Sequence, residues 1–189
     1  MEERENKEFR EFKESREFKE FRELTNLTKL PNLTKNSLTS LQVPSPNTST
    51  AMLDQRIIKF ITRHHVLTLA TVNGEGMPYV ANCFYAYDKR RNCFVFTSDT
   101  TTRHGSEMSA NANVALSIVL ETRIVGRVEG LQVVGRAERG DDEAKLCYIK
   151  RFPYAAAAPL TLWMVRPTMM KLTDNKLGFG TKLIWQSEE

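Results

Sequence analysis

The chain is poor in the groups with which a protein does covalent or metal chemistry. Its three cysteines, Cys83, Cys93 and Cys147, are odd in number, form no CxxC and have no companion at metal-ligand spacing. Neither a disulfide framework nor a structural metal is expected, and their apolar neighbours suit buried free thiols in a reducing compartment. The three histidines, His64, His65 and His104, lie near no cysteine or acidic cluster at ligand spacing. No nucleophile–base pair is recognisable, so no side chain is nominated as catalytic. Asp141-Asp142-Glu143 reads as a helix start, where the dipole favours acids, and not as acid–base machinery. No apolar run approaches the roughly 18 residues of a membrane span, and the charged N-terminus carries no signal-peptide core. A cytoplasmic protein without a membrane partner is the expectation.

What is present divides into two unlike regions. Residues 1–51 hold nine Glu and nine Lys/Arg, and the remaining 138 residues hold 18 Lys/Arg against 14 Asp/Glu, so the whole net charge of +4 belongs to the second region. That excess is too small to argue for a nucleic-acid partner. In the first region Glu recurs at every third position from Glu2 to Glu23, with Lys or Arg at every third from Arg4 to Arg22. A step of three falls about 60° short of a helical turn, so Phe9, Phe12, Phe18 and Phe21 spiral around the axis and form no stripe. Residues 25–51 are rich in Thr, Asn and Ser, with Pro31, Pro44 and Pro46. The region reads as a low-complexity, disordered tail. A mis-set start, with Met52 as the true initiator, accounts equally for a triplet repeat beside a compact domain.

The domain, 52–189, is mainly β with a few short helices. Ile57, Ile58, Phe60 and Ile61 fall at helical spacing. Alternating strands follow at 64–72 and 78–87, joined by the turn composition Asn73-Gly74-Glu75-Gly76. Phe94-Val95-Phe96 opens a third strand, and the run 114–120 is apolar enough to suggest a strand buried on both faces. A long strand at 126–139 contains Gly130 and Gly135, which suggest bulges or corners. Asp141-Asp142-Glu143 opens a helix that Lys150, Arg151 and Pro153 close. A last strand at 160–172 carries Pro167, the mark of an edge or a bulge. Consecutive hairpin strands with glycine corners describe a small antiparallel barrel.

The stretch after the third strand, Thr97-Ser98-Asp99-Thr100-Thr101-Thr102-Arg103-His104, is the candidate site. Hydroxyls, helix-start N–H groups and an Arg are the parts that hold a phosphate. The same residues also fit a plain reading, in which the hydroxyls cap the helix and Arg103 pairs with Glu107 at i+4.

That loop, with the following Met108-Ser109-Ala110-Asn111-Ala112-Asn113-Val114-Ala115-Leu116, resembles the pyridoxamine-phosphate-oxidase-like FMN-binding split barrels. Arg151-Phe152-Pro153, then Thr173-Asp174-Asn175-Lys176-Leu177-Gly178-Phe179-Gly180 through Ile184-Trp185, resemble the closing motif of the bacterial YhbP-like branch. The resemblance covers about residues 53–186 and none of the tail. It implies a homodimeric split barrel with FMN at the subunit interface, acting as a small flavin-dependent oxidoreductase. The alternatives are a flavin or other cofactor binding or sensing module without turnover, and an empty dimeric scaffold.

Carried over by position, Thr97, Ser98, Thr102, Arg103 and His104 fall where the family holds the FMN phosphate. Ala81, Asn82 and Cys83 fall on the strand along the isoalloxazine ring, and Gln132 where the long strand approaches the flavin. His104 replaces a second basic residue common in the oxidases. The strand from Tyr79 to Tyr85 lacks their basic residues, and the Arg-Leu-x-Pro pattern is absent. These departures point away from pyridoxamine phosphate as substrate.

Overall fold

The computed structural model describes residues 53–177 and 181–187. The expectations for the tail, for Met52 as initiator and for Gly178-Phe179-Gly180 lie outside the described residues. The elements are α1 (Gln55–Arg63), β1 (Val66–Val72), β2 (Pro78–Asp88), β3 (Cys93–Thr97), α2 (Arg103–Ala110), β4 (Asn113–Val119), β5 (Glu129–Arg139), α3 (Asp142–Arg151), β6 (Leu162–Asp174) and β7 (Lys182–Gln186).

Helix α1 begins at Asp54, whose carboxylate accepts from Arg56 N–H, and ends at His64, whose Nδ1 lies 2.8 Å from Phe60 O. Its apolar face, Ile57, Phe60 and Ile61, is buried against the barrel interior. Each such side chain contributes about 1.5–3 kcal/mol on leaving water.

Strand order is β3-β2-β1-β4-β5-β6-β7, all antiparallel, with a further β3–β6 pairing that closes six strands into a barrel. Strand β7 stands outside this closure. One edge of β6 runs along β5, while the other serves two partners in turn: β3 opposite Leu162 to Val165, then β7 opposite Met169 to Thr173. Pro167 falls between them, where no N–H is required, and the β5–β6 register shifts there between Val134 and Gly135. The expectation of an irregularity at Pro167 is met.

The run 114–120 is not buried on both faces as the sequence suggests. Strand β4 alternates, with Val114, Leu116 and Ile118 inward and Ala115, Ser117 and Val119 outward. No described element covers its outer side, and Ala115 and Ser117 are small enough to read as apolar filler in a sequence. Strand β3 is buried on both faces, as is the start of β6 beside it: Phe94 and Phe96 face the barrel interior, and Cys93 and Val95 lie beneath α3 with Ala144, Tyr148 and Phe152. The expected long strand is also shorter at its start. Residues Val125–Arg127 form a 3-10 turn, and β5 begins at Glu129, whose buried carboxylate joins Arg63 at the end of α1 to Lys176 after β6.

A Cβ at position 135 would meet Arg166 O at 2.4 Å, a backbone atom inside the ladder, whereas one at position 74 meets nothing within 4 Å. Gly135→Ala is therefore expected to destabilise the fold by about 1–3 kcal/mol as overpacking, and Gly74→Ala to be neutral or slightly stabilising. Urea unfolding of the two variants checks this, and equal midpoints would contradict it.

Candidate functional site

The loop between β3 and α2 is pinned from several sides. Ser98 N–H donates to Thr161 O at 3.0 Å, and Trp163 Nε1–H, buried, donates to Ser98 O at 2.9 Å. Asp99 Oδ1 accepts from Thr101 N–H and Thr101 Oγ1–H, both at 2.8 Å. Thr102 caps α2, accepting from Gly105 N–H at 3.1 Å while its own hydroxyl donates to Asp99 O at 2.7 Å. The helix and the loop touch backbone to backbone at Gly105, where a Cβ would lie 2.1 Å from Asp99 O. Only glycine fits that approach.

Counting protons assigns the network. The Thr102 hydroxyl proton is spent on Asp99 O, so across the 3.0 Å Ser98–Thr102 contact Ser98 is the donor. His104 Nε2, 2.7 Å from Ser98 Oγ, then carries a proton and donates. Thr97 Oγ1–H is also spent internally, on Thr161 O at 3.1 Å. The hydroxyls of Thr97, Ser98 and Thr102 thus shape the loop and cap the helix. What the loop turns outward is Arg103 and the first N–H groups of α2, which have no intrahelical acceptor.

Arg103 is held without being buried. Its Nε donates to Glu107 Oε1 at 2.9 Å, its guanidinium lies 4.5 Å from the centre of the Tyr79 ring, and its side chain remains 52% exposed. Glu107 is buried and accepts from Thr71 Oγ1 at 2.5 Å with its other oxygen. The Thr71 hydrogen bond, and then the one from Arg103, hold its carboxyl below the ordinary value. The i+4 pair legible in the sequence therefore exists, and it orients Arg103 while leaving most of the guanidinium open. Burial lowers the His104 pKa, against a smaller opposing pull from Glu107, and the ring lies nearly parallel to Tyr79 at 6.4 Å. At neutral pH the imidazole is uncharged, and Arg103 is the fixed cation of the loop.

Strand β2 runs past this loop with one edge open. Its pairing with β3 ends at Tyr85 opposite Phe96, whereas its pairing with β1 continues to Pro78. Tyr85 N–H donates to His65 O at 3.0 Å, so alternation turns the N–H and C=O of Val80 and Asn82 toward the edge that β3 has left. Side chains divide differently. Ala81 shares the face of Tyr79, and Cys83 on that face is buried with its thiol pushed up to about 11 by desolvation. Asn82 points to the opposite face, accepting from Thr68 Oγ1 at 2.9 Å.

Gln132 is on that opposite face too. The register sets Asn82, Thr68, Ser117 and Gln132 side by side across four strands, a polar row on the outer sheet. Around it Val66, Val80, Phe84, Val119 and Val134 are 43–63% exposed. The predicted residues thus form two groups: loop, Arg103 and Ala81 at one face, Asn82 and Gln132 at the other. Sequence reasoning missed Tyr79 and Trp163 as supports of the loop. Neither has a local pattern to betray it, since Trp163 lies 65 residues from Ser98.

The family model described as pyridoxamine 5′-phosphate oxidase matches residues 53–172. The UPF0306 protein YhbP of Salmonella paratyphi A is 35% identical over 131 residues, covering 67% of this chain and 88% of that one. Among solved structures, a heme-binding protein from Mycobacterium smegmatis aligns with TM-score 0.59 and 17% identity, over 72% of this chain and 59% of that one. An FAD-binding protein from Mesorhizobium loti aligns with TM-score 0.52 and 20% identity, over 63% and 90%. These two likenesses establish the fold.

A depressed histidine pKa means the folded state binds fewer protons than the unfolded chain below the ordinary value of 6.5. Stability from His104 is complete above that value and is lost as the pH falls through the window beneath it. Urea unfolding between about pH 8 and 5 should show stability declining with acid, and a flatter profile in His104→Gln. Equal slopes would contradict the assignment of a neutral, hydrogen-bonded imidazole.

Proposed function

The chain belongs to the pyridoxamine 5′-phosphate oxidase family, in its UPF0306, YhbP-like group, and from that premise we propose that it binds FMN and serves as a small flavin-dependent oxidoreductase. The observation that carries this reading is Arg103: a half-exposed guanidinium, steered by buried Glu107 and stacked on Tyr79, at the start of a helix and beside an open strand edge. A phosphate suits the helix start and the guanidinium. A planar ring with hydrogen-bonding edges suits the backbone groups of Val80 and Asn82. The residues present fit a flavin mononucleotide, with Arg103 and the α2 N–H groups for the phosphate and β2 for the ring.

Bound flavin supplies reversible hydride transfer, which the protein's own side chains do not. The chain's part is to hold, orient and exclude water. Glu107 is engaged by Thr71 through one oxygen and by Arg103 through the other, so its part is to hold Arg103. A second copy of the chain over the outer sheet would bury the exposed valines and Phe84 and bring Gln132 toward the cofactor. The strand Tyr79–Tyr85 offers no basic side chain for a phosphorylated pyridoxamine, so the substrate is a different one.

Purified protein is expected to show flavin absorbance or to bind added FMN, and Arg103→Ala to weaken that binding by about 1.5–3 kcal/mol, the value of a charge-assisted bond. Light scattering on the same preparation should report two chains per particle. A colourless protein that binds no FMN, or one with a haem Soret band in its place, would overturn the reading. Steady turnover of NADH or NADPH with an acceptor separates the oxidoreductase from a flavin carrier.

A further inference from the structure

A second cleft lies at the opposite end of β2. Measured along the strand, Tyr79 beside Arg103 and Tyr87 at this cleft are eight residues apart, roughly 26 Å at the rise of a strand. The cleft has a volume of about 750 Å³ and is walled by the end of α1, the β2–β3 turn and the last turn of α3. That size is within the range of small-molecule sites.

Its composition is asymmetric. The half-buried ring of Tyr87 supplies its aromatic wall, while Ile61 and Ala86 behind it are fully buried. Its rim carries His65, Lys89, Arg90, Lys150 and Arg151, drawn from three separate segments, against the single carboxylate of Asp88. That carboxylate is already committed to Arg91, with Nε to Oδ2 at 2.6 Å. Arg90 reaches outward to Glu143, whereas Lys89 and Lys150 have no carboxylate partner among the described residues.

Arg151 is held in place in advance. Its Nη2 donates to Thr62 O at 3.1 Å and to His64 O at 2.8 Å, fixing the guanidinium across the end of α1. The Nε of the same group is buried with no acceptor among the described residues.

We propose that this cleft is a binding site for a small aromatic anion, a phosphate or carboxylate carried on a flat apolar body. The anion engages Arg151, Lys150 and Lys89, and the ring lies against Tyr87. The site is separate from the Arg103 loop and does not depend on what that loop binds.

Calorimetric titration of the full chain with 1-naphthyl phosphate and with 1-naphthylacetate tests it and distinguishes the two anion sources. One molecule bound per chain is expected for at least one probe. The pair Lys89→Glu, Lys150→Glu, both on exposed positions, should weaken binding by about tenfold or more, and Arg103→Ala should leave it unchanged. In the unmutated protein the bound probe should also slow alkylation of Cys147, a half-buried free thiol lining the cleft. Absence of binding by both probes overturns the proposal. So does binding that Arg103→Ala abolishes, inorganic phosphate binding as tightly as the naphthyl anions, or Cys147 alkylation that the bound probe does not slow.

Discussion

Closure of the barrel through β3 is the constraint on which the rest depends. Five residues, Cys93–Thr97, must pair with β2 on one edge and β6 on the other while burying apolar side chains on both faces. A strand so placed has no freedom of register, because a slip by one residue would exchange Phe94 and Phe96 with Cys93 and Val95. From its end springs the loop that presents Arg103, and over its outer face packs α3, whose last turn forms a wall of the second cleft. Both candidate sites are thus positioned by one strand buried on both faces.

The loop shows how a phosphate-like composition is used. Hydroxyls in a row suggest ligand contacts, and here those of Thr97, Thr101 and Thr102 donate to groups of the protein itself. Arg103 adds a half-exposed cation to that loop. The Arg103 guanidinium is stacked, paired and half-solvated at once, so its orientation is set before an anion arrives, and less side-chain entropy is lost on binding. A neutral His104 adds shape and a hydrogen bond to this arrangement and no charge.

Elements were legible where one physical rule dominates locally. The amphipathic face of α1, the Asn73-Gly74 turn, and the acidic start and basic end of α3 follow from spacing and end effects within a few residues. The site was legible in part: the loop, the α2 start and the Arg103–Glu107 pair are all local. What the sequence concealed is set by distant partners. The outward face of β4 depends on whether a helix covers it, and β3 is doubly buried because α3 returns from about fifty residues later. The open edge of β2 exists because β3 is short, a fact about pairing that no residue in β2 announces. Tyr79 and Trp163 are supports by proximity alone.

The divided edge of β6 has a consequence for how the molecule comes apart. Strand β7 is joined to the barrel along a single seam, downstream of Pro167, and removing it leaves all six closing strands paired. The upstream seam, by contrast, is the closure itself, and opening it exposes Phe94, Phe96 and Trp163 together. The same strand therefore spans two cooperative units: a margin whose fraying uncovers the core flank beneath Leu183 and Trp185 while the barrel stays closed, and a keystone whose release is global unfolding.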